Sequence, residues 1–130
     1  MQKLHKTITM LDAATATTNS DAFGISDFKN ASIALIGADT AAFTFKIKGS
    51  IQKDKPAFGS AKSATNIWDY IDVLDLEDGS SIDGDTGVSF SGNDVRQFEV
   101  NTENMQWVGV EVSAYTSGDA SAVLSASDNV

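Results

Sequence analysis

Apolar residues recur at every second position in short runs, and clusters of Gly, Asn, Asp and Ser stop each run after a handful of residues. Such alternation places the apolar side chains of an extended segment on one face, whereas a helix would need a period near 3.6 to do the same. The clearest case is Phe43, Phe45 and Ile47 alternating with Thr44, Lys46 and Lys48, which predicts one buried face and one polar, basic face. The longest run, residues 107–115, turns Val108, Val110, Val112 and Ala114 inward and belongs near the middle of a sheet. Alternation resumes at Ala120, Ala122, Leu124 and Ala126, after hairpin chemistry at Ser117-Gly118-Asp119. Residues 7–11, 32–36, 88–90 and 98–100 read as further strands, and residues 66–73 set Ile67, Ile71 and Val73 on one side with Trp68 and Tyr70 on the other.

Seven to nine short strands with regular turn signals predict an all-β, antiparallel fold: a β-sandwich, a jelly roll or a related barrel. At 130 residues and 42% hydrophobic composition the chain suits one core. The expected organisation is a β-sandwich domain over residues 21–130, preceded by residues 1–20 as a flexible N-terminal arm, or a first strand plus linker. The small polar run from Ala13 to Ser20 has little with which to order itself. Residues 52–65 hold the only proline, Pro56, among Lys and small residues, and read as a long surface loop suited to binding.

The sequence removes the common routes to catalysis. With no cysteine there is no disulfide framework and no thiolate chemistry. His5 is the single histidine and sits near the terminus, so a triad lacks its oriented base. No nucleophile elbow, Walker A loop or His-rich metal spacing is present. Asp69 and Asp72 fall on opposite faces of one expected strand, and turn acids such as Asp75, Glu77 and Asp78 suit local bonds to backbone N–H groups better than glycoside chemistry. The expectation is a non-enzyme without a cofactor. Asp83-Gly84-Asp85-Thr86-Gly87 is a weak calcium candidate through Asp83 and Asp85, but Gly87 stands where an EF-hand needs another oxygen ligand. The N-terminus lacks a secretory apolar run and no stretch is long enough to span a membrane, so synthesis in the cytoplasm and no membrane partner are expected.

Net charge is −9 and unevenly placed. Residues 1–62 carry eight Lys against five Asp, net +3, whereas residues 63–130 carry Arg96 alone against nine Asp and four Glu, net −12. That distribution allows oppositely charged faces to meet between copies or with another partner. It argues against nucleic acid, which requires clustered cations. Lys46 and Lys48 on a polar strand face, with Trp68, Tyr70, Trp107 and Tyr115 as partly exposed aromatics, are the interface candidates.

The order of features, Asn66-Ile67-Trp68-Asp69-Tyr70-Ile71, the acidic residues 75–87, Phe98-Glu99-Val100-Asn101 and then residues 107–115, resembles small virion proteins of tailed bacteriophages over roughly residues 13–127. Within that group it is most like head decoration, or cement, proteins. The resemblance implies a β-sandwich or barrel module on the capsid surface that binds and bridges major capsid proteins, with copies of itself as further partners. The alternative is a carbohydrate- or receptor-binding β-sandwich module of a tail or fibre, using Trp68, Tyr70, Trp107 and Tyr115.

Overall fold

The computed structural model describes residues 5–128, and every regular element in them is a strand. In chain order these are β1 (His5–Ala14), β2 (Thr18–Asn19), β3 (Phe23–Gly24), β4 (Asn30–Ser50), β5 (Asp69–Tyr70), β6 (Val73–Asp75), β7 (Ser81–Ile82), β8 (Val88–Phe90), β9 (Asp94–Val100) and β10 (Trp107–Ser127). All pairings are antiparallel. The all-β expectation holds, but the strands form one continuous open sheet in the order β1-β10-β4-β9-β6-β7, with β2 and β3 also on β10, and β5 and β8 also on β4. Two separate sheets, as a sandwich or jelly roll would have, are not what the hydrogen bonding describes.

The departure has a local cause. β4 and β10 are each 21 residues long and run through positions that read as stops. Asp39 and Thr40 in β4, and Ala114 and Gly118 in β10, have positive φ, so the turn-forming residues supply bulges and not strand ends. Each strand carries its extra residues opposite the other's kink. The register is therefore the same on both sides, from Trp107↔Ser50 to Ser113↔Thr44 and from Asp119↔Ala38 to Ser127↔Asn30. Matching the register preserves the inward face through the kink, since a one-residue slip would turn every side chain over. The hairpin expected at Ser117-Gly118-Asp119 is thus a kink within one strand. Gly118 has φ 97°, and a Cβ there would lie 2.7 Å from the Ala38 carbonyl oxygen.

The kink divides the sheet into two arms. The near arm, β4 from Ala41 and β10 to Ser113, carries β2, β3, β5 and β8 at its flanks; the far arm carries β1 and β9. Inward residues of both arms, Ile33, Leu35, Phe43, Phe45, Val108, Val110, Val112 and Leu124 among them, join one apolar cluster with Phe90 and Phe98. A flat sheet cannot pack a face against itself, so this sheet is curled around its inner side. Phe45 stands edge-on to Phe43 at 5.2 Å and to Phe90 at 5.4 Å, the offset geometry that aromatic rings prefer. Each such side chain contributes about 1.5–3 kcal/mol on burial.

From His5 onward the expected N-terminal arm is a strand of the domain's own sheet: His5–Ala14 pairs with the last residues of β10, and Met10 is in the core. Of the two expectations for this segment, the first strand agrees with β1 and the flexible arm does not: Ile8, Met10 and Leu11 find an apolar edge on β10 that local composition cannot reveal. Residues 1–4 of that reading lie outside the described residues. The expected strand at 66–73 is also cut to the short β5 and β6, because the backbone there is drawn into contacts with the loop before it.

Candidate functional site

Lys48 and Lys46 lie on the outward face of the near arm, and the chain between β4 and β5 folds back over that face. Asn66 pins this loop: its side chain donates to the Ala57 and Ala61 carbonyls and accepts from the Ala57 N–H, at 2.8–3.0 Å. Phe58 is buried beneath it and packs close against β10 at Gly109, where an added Cβ would come within 2.4 Å of the ring.

Consequently Lys48, expected on an exposed basic face, is only 2% exposed. Its ammonium donates to Asn19 Oδ1 at 2.8 Å and to the Phe58 carbonyl at 2.7 Å, and pairs with Glu111 Oε1 at 3.0 Å. It also sits 4.0 Å from the Trp68 ring centre and 5.5 Å from that of Tyr70. A buried ammonium is tolerable only when its donors and charge are answered, and here carboxylate, amide, carbonyl and two π-faces do so. Tyr70 Oη donates to the same Glu111 oxygen at 3.0 Å. Burial, followed by that carboxylate, holds the phenol's pKa above its ordinary value.

Around this centre the exposed charges are arranged in pairs. Lys46 stands 5.0 Å from the Tyr70 ring and Lys62 5.5 Å from the Trp68 ring. Lys62 pairs with Asp69 at 2.8 Å and Lys55 with Asp21 at 2.7 Å; these hydrogen bonds are the largest cause of the lowered pKa of each carboxyl. The Trp68 N–H goes to the Ser60 carbonyl, and its ring meets Tyr70 edge-on at 5.4 Å. An open groove of about 910 Å³ adjoins Tyr70, walled also by Ile71, Leu74, Glu99, Glu103 and Met105.

Four of the six interface candidates, Lys46, Lys48, Trp68 and Tyr70, therefore come together. Trp107 and Tyr115 are engaged elsewhere. The Trp107 N–H goes to the Gln52 carbonyl, while Tyr115 stacks on Phe43 at 6.1 Å and donates to the Gly118 carbonyl across the kink. Asp83 Oδ1 accepts from the Asp85 N–H and the Asp83 carbonyl from the Gly87 N–H, a self-contained turn. Among the described residues no group of three or more acidic or histidine side chains is placed to hold a metal. His5 is exposed, with Nε2 2.9 Å from Ser125 Oγ. On the opposite side of the sheet, Asp75 is 3% exposed and takes a hydrogen bond from Arg96 Nη2.

Reading one sequence overlooked Glu111, Asn19 and Phe58 at the centre of the cluster. The available signal was Glu111 itself, the lone acid in the apolar run 107–115, facing a strand that bears two lysines. Two of the pairs, Lys48–Glu111 and Lys62–Asp69, join the basic first part of the chain to its acidic second part internally.

Fold and site together define a small all-β domain organised around one bent antiparallel sheet, with a cation–aromatic cluster fastening a long loop to its outer face. No family model matches the chain, and no curated protein matches it. Among solved structures, it is similar to the crystal structure of SPBc2 prophage-derived protein YomS, with a TM-score of 0.68 at 13% identity, over 98% of this chain and 96% of that one. At that identity the likeness is one of fold.

Proposed function

We propose that this chain is a non-enzymatic structural protein of a bacteriophage particle, a head decoration subunit that binds and bridges major capsid proteins at the capsid surface. The observation that carries the reading is the end-to-end correspondence of fold with a prophage-derived protein. It agrees with the resemblance of residues 66–71, 75–87 and 107–115 to virion proteins. The cluster chemistry supports it further: Lys48, Glu111, Trp68 and Tyr70 satisfy one another and hold a loop in place, as a rigid binding module requires.

A second reading, a glycan- or receptor-binding module of a tail or fibre, draws on the partial exposure of Trp68 and Tyr70. Against it, the Trp68 ring already has two ammonium groups near it, Lys48 at 4.0 Å and Lys62 at 5.5 Å from its centre, which a stacking sugar would have to compete with. The test is to add the purified protein back to particles stripped of it and to locate it by electron microscopy. Density over capsid-subunit junctions is the expected result. Density confined to tail or fibre, with a glycan-array signal lost in Trp68→Ala, would replace the first reading with the second.

A further inference from the structure

The two arms of the sheet differ in what covers their outer faces. Over the near arm lies the loop that ends in Trp68. Over the far arm lies nothing else: among the described residues, its outward side chains are reached only by His5 and by the Ala13 N–H at one rim. The rows of that bare face follow from the register. Thr9, Val123, Ala34 and Gln97 lie side by side, flanked on one side by Thr7, Ser125, Ser32, Glu99 and Leu74, and on the other by Ser121, Ile36 and Val95. Three of the five large apolar residues exposed in the structure fall here: Val95 (63%), Leu74 (37%) and Leu76, whose N–H bonds to Gln97.

We infer that this face is where a second copy of the chain packs, sheet against sheet. Charge selects the occupant. The chain carries 18 acidic residues against nine basic ones, so most contacts between copies would bring acid against acid. In the three rows just named β10 and β4 carry no charged side chain; Asp119 stands one row further out, at the kink, Glu99 lies between Ser32 and Leu74, and His5 is at the β1 rim. Area is of the right order as well. β1, β10, β4 and β9 at about 4.8 Å spacing span roughly 19 Å over seven residues of roughly 23 Å, and the three-residue β6 adds roughly 5 Å by 10 Å. That is about 490 Å² per copy and about 980 Å² for a pair, at the ~1,000 Å² that separates specific interfaces from incidental ones. Shape fits too: Ile36, Val95 and Leu74 project around the small Ser32, Ala34, Ser121 and Ser125, so projections of one copy meet hollows of the other in an aligned two-sheet packing.

This inference goes beyond the capsid reading and is tested in dilute solution without any particle. Sedimentation of the whole chain from about 1 to 100 µM should show a dimer, one that high salt does not dissociate because apolar burial is not screened. Ala34→Lys and Val123→Lys each place two like charges in the paired face and should weaken association by about 100-fold or more, with circular dichroism unchanged. Because the chain has no cysteine, Val123→Cys supplies a single thiol per copy, which a flexible bis-maleimide long enough to span the roughly 10 Å between packed sheets should crosslink into a covalent dimer. A parent chain that stays monomeric at 100 µM would overturn the inference, as would a dimer that both lysine variants leave intact and that Val123→Cys fails to crosslink.

Discussion

Replacing Lys48 by Met keeps most of the aliphatic stem and removes the ammonium, which isolates the charge from the packing. Three groups then lose their donor: Glu111 Oε1, Asn19 Oδ1 and the Phe58 carbonyl. Breaking a buried ion pair from one side costs about 3–5 kcal/mol. The lower end applies here, because Glu111 keeps the Tyr70 hydroxyl and its side chain is 14% exposed. At about 2.1 cal/mol/K of unfolding entropy per residue, a 130-residue chain loses about 11 °C of melting temperature for 3 kcal/mol. Removing both charges, as in Lys48→Met with Glu111→Leu, should recover about half of the loss. The stranded carboxylate is then gone, while the Asn19 and Phe58 oxygens remain without their donor at about 1 kcal/mol each. Urea unfolding of parent, two single variants and the double variant measures the coupling directly. A Lys48→Met variant within about 0.5 kcal/mol of the parent, or a double variant at the sum of the singles, would refute the account of Lys48 as the fastening of the loop.

Three other perturbations test separate parts of the structure. The raised pKa of Tyr70 means that its contribution to stability is whole below the ordinary value of 10.0 and is lost as pH rises through the folded value; urea midpoints followed up to about pH 11 should therefore fall less steeply in Tyr70→Phe than in the parent, and equal slopes would contradict this. Gly118→Ala should lose about 1–3 kcal/mol from backbone strain, with more from the crowding of its Cβ against Ala38 and Ala41, whereas Gly79→Ala, also at positive φ but with open space around it, should lose only about 1 kcal/mol. Excess calcium should leave the melting temperature unchanged, since the Asp83 carboxylate already serves the Asp85 N–H; a rise in calcium that Asp83→Asn abolishes would restore a cation site there.

Strand content and the inward sets Phe43-Phe45-Ile47, Val108-Val110-Val112 and Ala120-Ala122-Leu124 were legible, because period-two alternation is written into adjacent residues. The continuity of β4 and β10 was not. Asp39-Thr40 and Ser117-Gly118-Asp119 have the chemistry of turns, and only the partner strand decides whether such residues reverse the chain or bulge within it. Lys48 was misread for a related reason. Alternation placed it correctly on the outward face, but the cover on that face comes from Phe58 and Asn19, ten and 29 residues away in sequence. Trp68 and Tyr70 were picked out by residue type; that they gather with two lysines, while Trp107 and Tyr115 do not, depends on strand pairing.

β10 is the hub of the sheet, bonded to β1, β2, β3 and β4, and it comes after all four of them along the chain. During synthesis, therefore, β1 waits for a partner some 110 residues downstream, and the inner face of β4 stays half uncovered until Trp107–Ser127 has been made. Pairings so distant in sequence make folding slow, and the exposed edges of the incomplete sheet are open to other chains meanwhile. Closure of the domain is thus late: β10 takes its place between β1 and β4 only after the rest of the sheet has been made, its first half completing the near arm and its second half the far arm. A chain cut before residue 120 would keep the near-arm pairing of Ser113↔Thr44 but leave β1 without its neighbour, so its loss should appear as aggregation during expression.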